Sequence, residues 1–200
     1  MSELALGTGT EVGVRLRELR RQRGMSARAV AAALGISPSA VSQIERGVLQ
    51  PSVSRLLAIT DALGVPLAAV FESGGEAPAA ALAAEIDGFS LVRAAQATTV
   101  ELGDGVTFRR LSPGPSPGID YFQSTYPPGS SAHRDTDLFR HDGYEVGTML
   151  SGELTIDFTD ERIVLRPGDT ISYPCSRPHR IHNDGDETAV ATWLIVHGPA

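Results

Sequence analysis

Residues 24–47, GMSARAVAAALGISPSAVSQIERG, constrain this chain more than any other stretch, because they spell two short helices joined by a tight turn. Ser26 precedes the apolar positions Val30, Ala31 and Leu34, where a small hydroxyl side chain can accept from the orphan amides of a helix start. Gly35 ends that helix. Ser37 followed by Pro38 starts the next, since proline at the first helical position gives up no needed hydrogen bond. Ile36 and Val41 are placed to form a hydrophobic staple, and Gly47 stands where a left-handed cap closes the segment. Val41 and Ile44 share one face of this second helix, which turns Ser39, Ser42, Gln43 and Arg46 elsewhere. So short a helix with so few apolar anchors cannot stand alone and must lie on its neighbours with its polar side outward.

The flanks supply those neighbours. VGVRLRELRRQRG (12–24) predicts a first helix with Leu16 and Leu19 inward, and PSVSRLLAITDALG (51–64) and VPLAAVF (65–71) predict two more, making five helices in about seventy residues. Through SxxAVSQIERGxxxPSxxxLLxIxxALGV the stretch 12–71 resembles the lambda-repressor-like helix-turn-helix regulators of the xenobiotic-response-element type. The resemblance implies a double-stranded DNA operator as partner, with base-reading positions at Pro38, Ser39, Ser42 and Gln43. It places phosphate contacts at Ser26, Ala27, Ser37 and the loop around Gln50 and Ser54, and Arg28 and Arg46 complete the expected DNA-binding set. Two positions depart from the family: Ala27 replaces a phosphate-holding glutamine, and Pro38 cannot hydrogen-bond a base edge. Gln43 carries the readout best, because a glutamine amide can meet adenine with two hydrogen bonds. The resemblance gives Arg20 and Glu45 the role of an internal ion pair, while Arg15, Arg17, Arg21 and Arg23 read as a solvated helix face.

Charge divides the chain. Residues 1–71 carry eight arginines against five acidic residues, net +3, and residues 72–200 nine against nineteen, net −10. An acidic second half is repelled by phosphates, so DNA contact is expected from the first half alone. One cysteine, Cys175, excludes an internal disulfide, and no signal peptide or apolar run of spanning length is present, so a cytoplasmic protein without membrane contact is expected. The domains then read as 10–72 for DNA binding, a Gly- and Ala-rich linker at 73–87, and 88–198.

Beyond the linker the pattern changes to short alternating runs, among them VTFRRL, TMLSGELTIDF, RIVLRPGDTISYP and TAVATWLIV, separated by Gly, Pro, Asp and Asn turns. An antiparallel barrel or jelly roll follows. All five histidines lie here, at 133, 141, 179, 182 and 197. His141, Glu145 and His179 offer two imidazoles and a carboxylate, a donor set suited to one divalent transition metal, Fe, Mn, Ni or Zn, with positions left open.

These residues also carry a resemblance to cupins, double-stranded β-helix barrels: His141, Glu145 and Gly152 match the first motif, and Gly168, Pro174, His179 and Asn183 the second, with Ser176 in place of a glycine. The family's first histidine is Phe139 here, which reduces four ligands to three, and His133 is the candidate to compensate. Cys175 reads as a small buried hydrophobe, His182 and His197 as surface or structural, and Trp193, Tyr126 and Tyr144 as core or pocket lining. The loop acids Asp135, Asp137, Asp142, Asp184 and Asp186 hint at a cationic or neutral ligand.

Together the domains resemble bacterial regulators that join this helix-turn-helix to a cupin sensor. That implies a homodimer on a two-fold operator whose affinity is altered by a small-molecule effector. The alternative is a mononuclear non-haem metal cupin enzyme, an epoxidase or dioxygenase that keeps a helix-turn-helix. The epoxidase family uses a lysine from its helical domain at the active site, and this chain has no lysine, Gly24 standing at the approximate place.

Overall fold

The computed structural model describes residues 6–7, 9–71, 84–86, 89–114, 116, 118–133 and 137–198. Most of the expected linker at 73–87 therefore lies outside the described residues; within it only Ala84–Ile86 is described, as a strand paired with Phe89–Leu91.

The first domain is built from α1 (Gly9–Gln22), α2 (Ala27–Leu34), α3 (Pro38–Glu45) and α4 (Val53–Leu63). Val12, Leu16 and Leu19 recur at helical spacing on α1 and are buried, as are Val41 and Ile44 on α3. The starts are capped as their serines predict: Ser26 Oγ accepts from the Ala29 amide and Ser37 Oγ from that of Ala40, each at 3.1 Å. Ser52 Oγ does the same for Arg55 at 3.3 Å. Gly35 and Gly64 end α2 and α4 with φ of 63° and 62°.

There are four α-helices in this domain rather than the expected five, because Leu67–Phe71 forms a 3-10 turn. Pro66 sets the chain direction, and the Ala69 amide bonds back to Pro66 O, three residues away, before enough chain has passed to build an α-helical ladder. Where α1 crosses α3, a Cβ on Gly13 would sit 2.2 Å from Ile44 O, so only glycine fits. Gly13→Ala is expected to force the helices apart at a cost of about 1–3 kcal/mol. A thermal melt matching the parent's would show that this crossing is looser than described.

The second domain is a sheet sandwich. Its strands are β1 (Leu6–Gly7), β2 (Ala84–Ile86), β3 (Phe89–Leu91), β4 (Thr99–Glu101), β5 (Thr107–Arg110), β6 (Ile119–Tyr126), β7 (Tyr144–Ser151), β8 (Leu154–Phe158), β9 (Arg162–Leu165), β10 (Thr170–Pro174), β11 (His179–His182) and β12 (Ala189–Val196). A seven-stranded sheet runs β1-β4-β5-β6-β12-β7-β10 and a three-stranded one β11-β8-β9. Period-two alternation buries Ala189, Ala191, Trp193 and Ile195 of β12 and Asp120, Phe122, Ser124 and Tyr126 of β6. Trp193 pairs in register with Gly147, where a Cβ would come within 2.3 Å of its ring, and its indole N–H donates to Ser124 Oγ at 2.8 Å. Bulk on β12 is thus met by its absence on β7.

The domains are tied directly to each other. β1, ahead of α1, pairs in parallel with β4. The Gly103 amide donates to Pro51 O at 2.9 Å, and the Ala68 amide to Asp120 Oδ1 at 2.9 Å. His197 Nε2 holds the other Asp120 oxygen at 2.9 Å, which gives this histidine a structural role at the junction.

Candidate functional site

Two surfaces carry the expected chemistry. On the helical domain Ser26, Arg28, Ser37, Pro38, Ser39 and Arg46 are exposed, and Ser42 and Gln43 are half-buried on the same α2–α3 unit. The Ser26 and Ser37 hydroxyls are engaged as helix caps, each accepting from the amide three residues on. Arg46 bends back to donate to Ser42 O at 3.1 Å. Gln50 is half-buried. Ser54 points the other way: it is buried, its amide donates to Ala132 O at 3.0 Å, and its hydroxyl is hydrogen-bonded to His133 Nδ1. Arg15 departs from the solvated face expected of it: it is half-buried and its guanidinium donates to Ala69 O at 2.9 Å, whereas Arg17, Arg21 and Arg23 are exposed, Arg23 donating to Gly64 O at 2.8 Å.

In the barrel, His141 precedes β7, Glu145 is its second residue and His179 opens β11. Glu145 Oε2 lies 4.0 Å from His141 Nε2 and 3.8 Å from His179 Nε2. Among the described residues this is the one group whose donor atoms gather closely enough to hold a metal, all within 4.8 Å of one another. The Nδ1 atoms fix the tautomers. His141 Nδ1 meets Asp142 O at 3.0 Å and His179 Nδ1 meets Arg177 O at 2.8 Å. A carbonyl only accepts, so each Nδ1 bears the hydrogen and each neutral ring turns an Nε2 lone pair toward Glu145.

Electrostatics keep the rings neutral: burial lowers His141 to about 4 and also lowers His179. Burial pushes the Glu145 carboxyl up to about 7, against a hydrogen bond from Tyr173 Oη at 2.9 Å. His141 Nε2 is a buried polar atom with no hydrogen-bond partner. Two imidazole lone pairs, one of them without any partner, and a carboxylate fit a divalent cation better than they fit one another.

Phe139 packs against both imidazoles at 5.2 and 5.0 Å between ring centroids, where the expected fourth ligand is missing. His133 stands beyond it at 6.1 Å and turns to Ser54. Trp193 and Tyr126 line the cavity above the triad, while Tyr144 is exposed. Two lining residues, Val53 and Leu57, come from α4 of the other domain. Of the loop acids, Asp135 is outside the described residues, Asp184 is bound to His182 at 2.8 Å, and none of the described ones lines the cavity. Cys175 is fully buried, with its thiol pushed up by desolvation.

A DNA-reading helical head joined to a sheet sandwich with a buried His–Glu–His cup defines a two-domain regulator class, and comparison with known proteins agrees. Residues 16–70 match the helix-turn-helix family model and residues 122–195 the cupin domain model, so the chain carries a helix-turn-helix domain followed by a cupin domain. It is 27% identical over 177 residues to the HTH-type transcriptional regulator PuuR of Escherichia coli, covering 88% of this chain and 89% of that protein. A 56-residue stretch is 50% identical to the HTH-type transcriptional regulator RamB of Mycobacterium tuberculosis, 28% of this chain and 12% of that one. The crystal structure of an HTH_3 family transcriptional regulator from Vibrio cholerae shares the fold, with a TM-score of 0.68 at 21% identity over 96% of this chain and 97% of that one.

Proposed function

We propose that this protein is a DNA-binding transcriptional regulator whose cupin barrel senses a small molecule, with one divalent metal held by His141, Glu145 and His179. The observation that carries the reading is the intact α2–α3 unit. Arg28, Ser37, Ser39 and Arg46 are exposed and Ser42 and Gln43 half-exposed, while Val30, Ala31, Val41 and Ile44 are spent on the core. A metal in the cup would supply an open coordination position for an oxygen donor; the chain supplies the apolar walls that select what surrounds that donor.

A metal-dependent cupin enzyme is the second reading, favoured by the same triad, and the exposed recognition surface weighs against it because catalysis would make no use of that surface. Among the described residues no helix is long and apolar enough to cross a membrane, and we place the protein in the cytoplasm, where its operator is.

The homodimer that a two-fold operator requires has a candidate contact on the outer face of the sheet. Ile119, Tyr121, Tyr144 and Val196 are exposed there, with Val196 the register neighbour of both Ile119 and Tyr144.

Selection from a random DNA pool with the full-length, metal-analysed protein tests the proposal. An enriched palindrome supports it, and no enrichment alongside stoichiometric metal directs the work to catalysis. On the selected site, Gln43→Ala is expected to cost about 1–3 kcal/mol of binding and to relax specificity at one base pair. Equal gel-shift affinity with an unchanged melt would remove Gln43 from the reading set.

A further inference from the structure

The cup is not closed by the barrel alone. Val53 and Leu57, one turn apart on α4, complete a wall whose other members include Phe139, Ile181 and Trp193. The start of α4 is fastened to the barrel by a helix-end requirement. The first amides of a helix have no partner inside it, and that of Ser54 finds one across the domain boundary in Ala132 O, at 3.0 Å. The Ser54 hydroxyl meets His133, whose ring faces Phe139, which in turn stacks on His141. Upstream, the amides of Val48 and Leu49 return to Gln43 O at 2.9 and 3.2 Å, so the segment entering α4 is bonded to the recognition helix itself.

Volume decides what a ligand must do. As it stands, the partly open cavity holds about 20 Å³, room for a single water, whereas a benzene-sized molecule needs on the order of 150 Å³. A wall must therefore move. The barrel strands that line the cavity are hydrogen-bonded into sheets, β12 along its length to both β6 and β7, while the start of α4 meets the barrel through a handful of bonds. The lid is the weaker wall. Among the described residues the lining has no arginine to pair with a phosphonate or other polyanion; carbon surfaces surround one polar point, the His–Glu–His triad.

Resting on the regulator reading above, the geometry points to an effector site shared by both domains, with Val53 and Leu57 of the DNA-reading head as its lid. Its ligand is a compact, largely apolar molecule with one oxygen donor. Entry of that ligand lifts α4 from the barrel and moves the recognition helix attached to it, so the cup and the operator compete for the position of one helix.

Benzoate, an apolar ring with a carboxylate, is the probe, added to the full-length protein with zinc supplied. Trp193 is the only tryptophan of the chain and lines the cavity, so its emission reports filling. Exchange of the Ser54 amide, followed by NMR, reports the lid. Saturable quenching of Trp193 with at least tenfold faster exchange at Ser54 is expected. Leu57→Trp, which fills the cavity from the lid side, is expected to give the fast exchange without benzoate. Leu57→Ala is expected to bind benzoate while leaving Ser54 slow. Benzoate binding in the parent with unchanged Ser54 exchange, or a folded Leu57→Trp protein with slow exchange, overturns the lid. Absence of benzoate binding overturns the ligand class, and the Leu57→Trp arm still decides the lid. DNA selection on the parent separately decides whether the protein is a regulator at all.

Discussion

Glu45→Ala is expected to remove about 3–5 kcal/mol from the stability of the DNA-reading domain, the range for breaking one side of a buried ion pair. Arg20 and Glu45 meet in a two-pronged contact, Nη2 to Oε2 at 2.8 Å beside a second bond from Nε, and Arg20 Nη1 also donates to Met25 O at 2.8 Å. Their side chains are 12% and 9% exposed, so solvent screens the pair little. Removing the carboxylate leaves a guanidinium that cannot deprotonate between α1 and α3, with one carbonyl as its remaining neighbour. A small domain holds roughly 5–15 kcal/mol in all, so the variant should unfold near or below room temperature in moderate urea, and operator binding should go with it. The pair is not a net asset merely because breaking it is costly. Arg20→Met with Glu45→Leu, which removes both charges and keeps apolar volume, should recover most of the loss. A single variant that melts with the parent would show the pair to be solvated in solution.

What could be read in the sequence was mostly local. Ser26, Ser37 and Pro38 announce helix starts because capping involves only residues within one turn, and those caps are observed. The Leu67–Phe71 segment was misjudged for the same reason, since five apolar residues after a proline satisfy either helical form until the hydrogen bonds are known. Residues with two possible partners were the least legible. Val53 and Leu57 have the spacing of an ordinary core face, and nothing local distinguishes packing on α1 from closing a cavity whose other walls lie 50 or more residues on. Ser54 looked like a phosphate contact because its loop faces DNA in the family, yet its neighbour in space is Ala132. Arg15 and Arg23 likewise find carbonyls that only the tertiary fold brings near.

The cup was legible as ligands and not as surroundings. His141, Glu145 and His179 stand at motif spacing, but Tyr173, which holds Glu145, becomes its neighbour only through sheet register, where the two face each other on β10 and β7. No short-range pattern contains that pairing. The missing fourth ligand was visible as Phe139. That its ring would join a column from His141 to His133 and on to Ser54 was not, because the column crosses from one domain to the other.

Loading the cup with zinc is expected to raise the melting temperature of the second domain, and by more at pH 8 than at pH 5. A metal competes with protons for its ligands. With Glu145 pushed up to about 7 by burial, the site is largely ionised at pH 8, and uptake there releases little proton. Below pH 7 each metal bound displaces the Glu145 proton, so affinity falls about tenfold per pH unit. Near pH 4, where His141 takes up its own proton, the decline steepens. The metal-free protein behaves differently. Glu145, raised from 4.5, contributes stability at low pH that is lost as pH rises toward 7, and His141, lowered from 6.5, contributes stability gained as pH rises from about 4. Between about 4.5 and 6.5 Glu145 opposes His141, while His179, also lowered by burial, adds to the histidine side, so the metal-free melt is measured at each pH and the zinc-induced shift is taken as the difference from it. His179→Ala and Glu145→Ala should abolish stoichiometric uptake, and Tyr173→Phe, which removes only the bond that orients Glu145, should weaken it about 10–100-fold. Elemental analysis and titration calorimetry in buffers of different ionisation enthalpy count both metal and protons. Equal metal content in parent and His179→Ala, or a zinc-induced shift that does not change with pH, would leave the triad as a hydrogen-bonded floor of the cup.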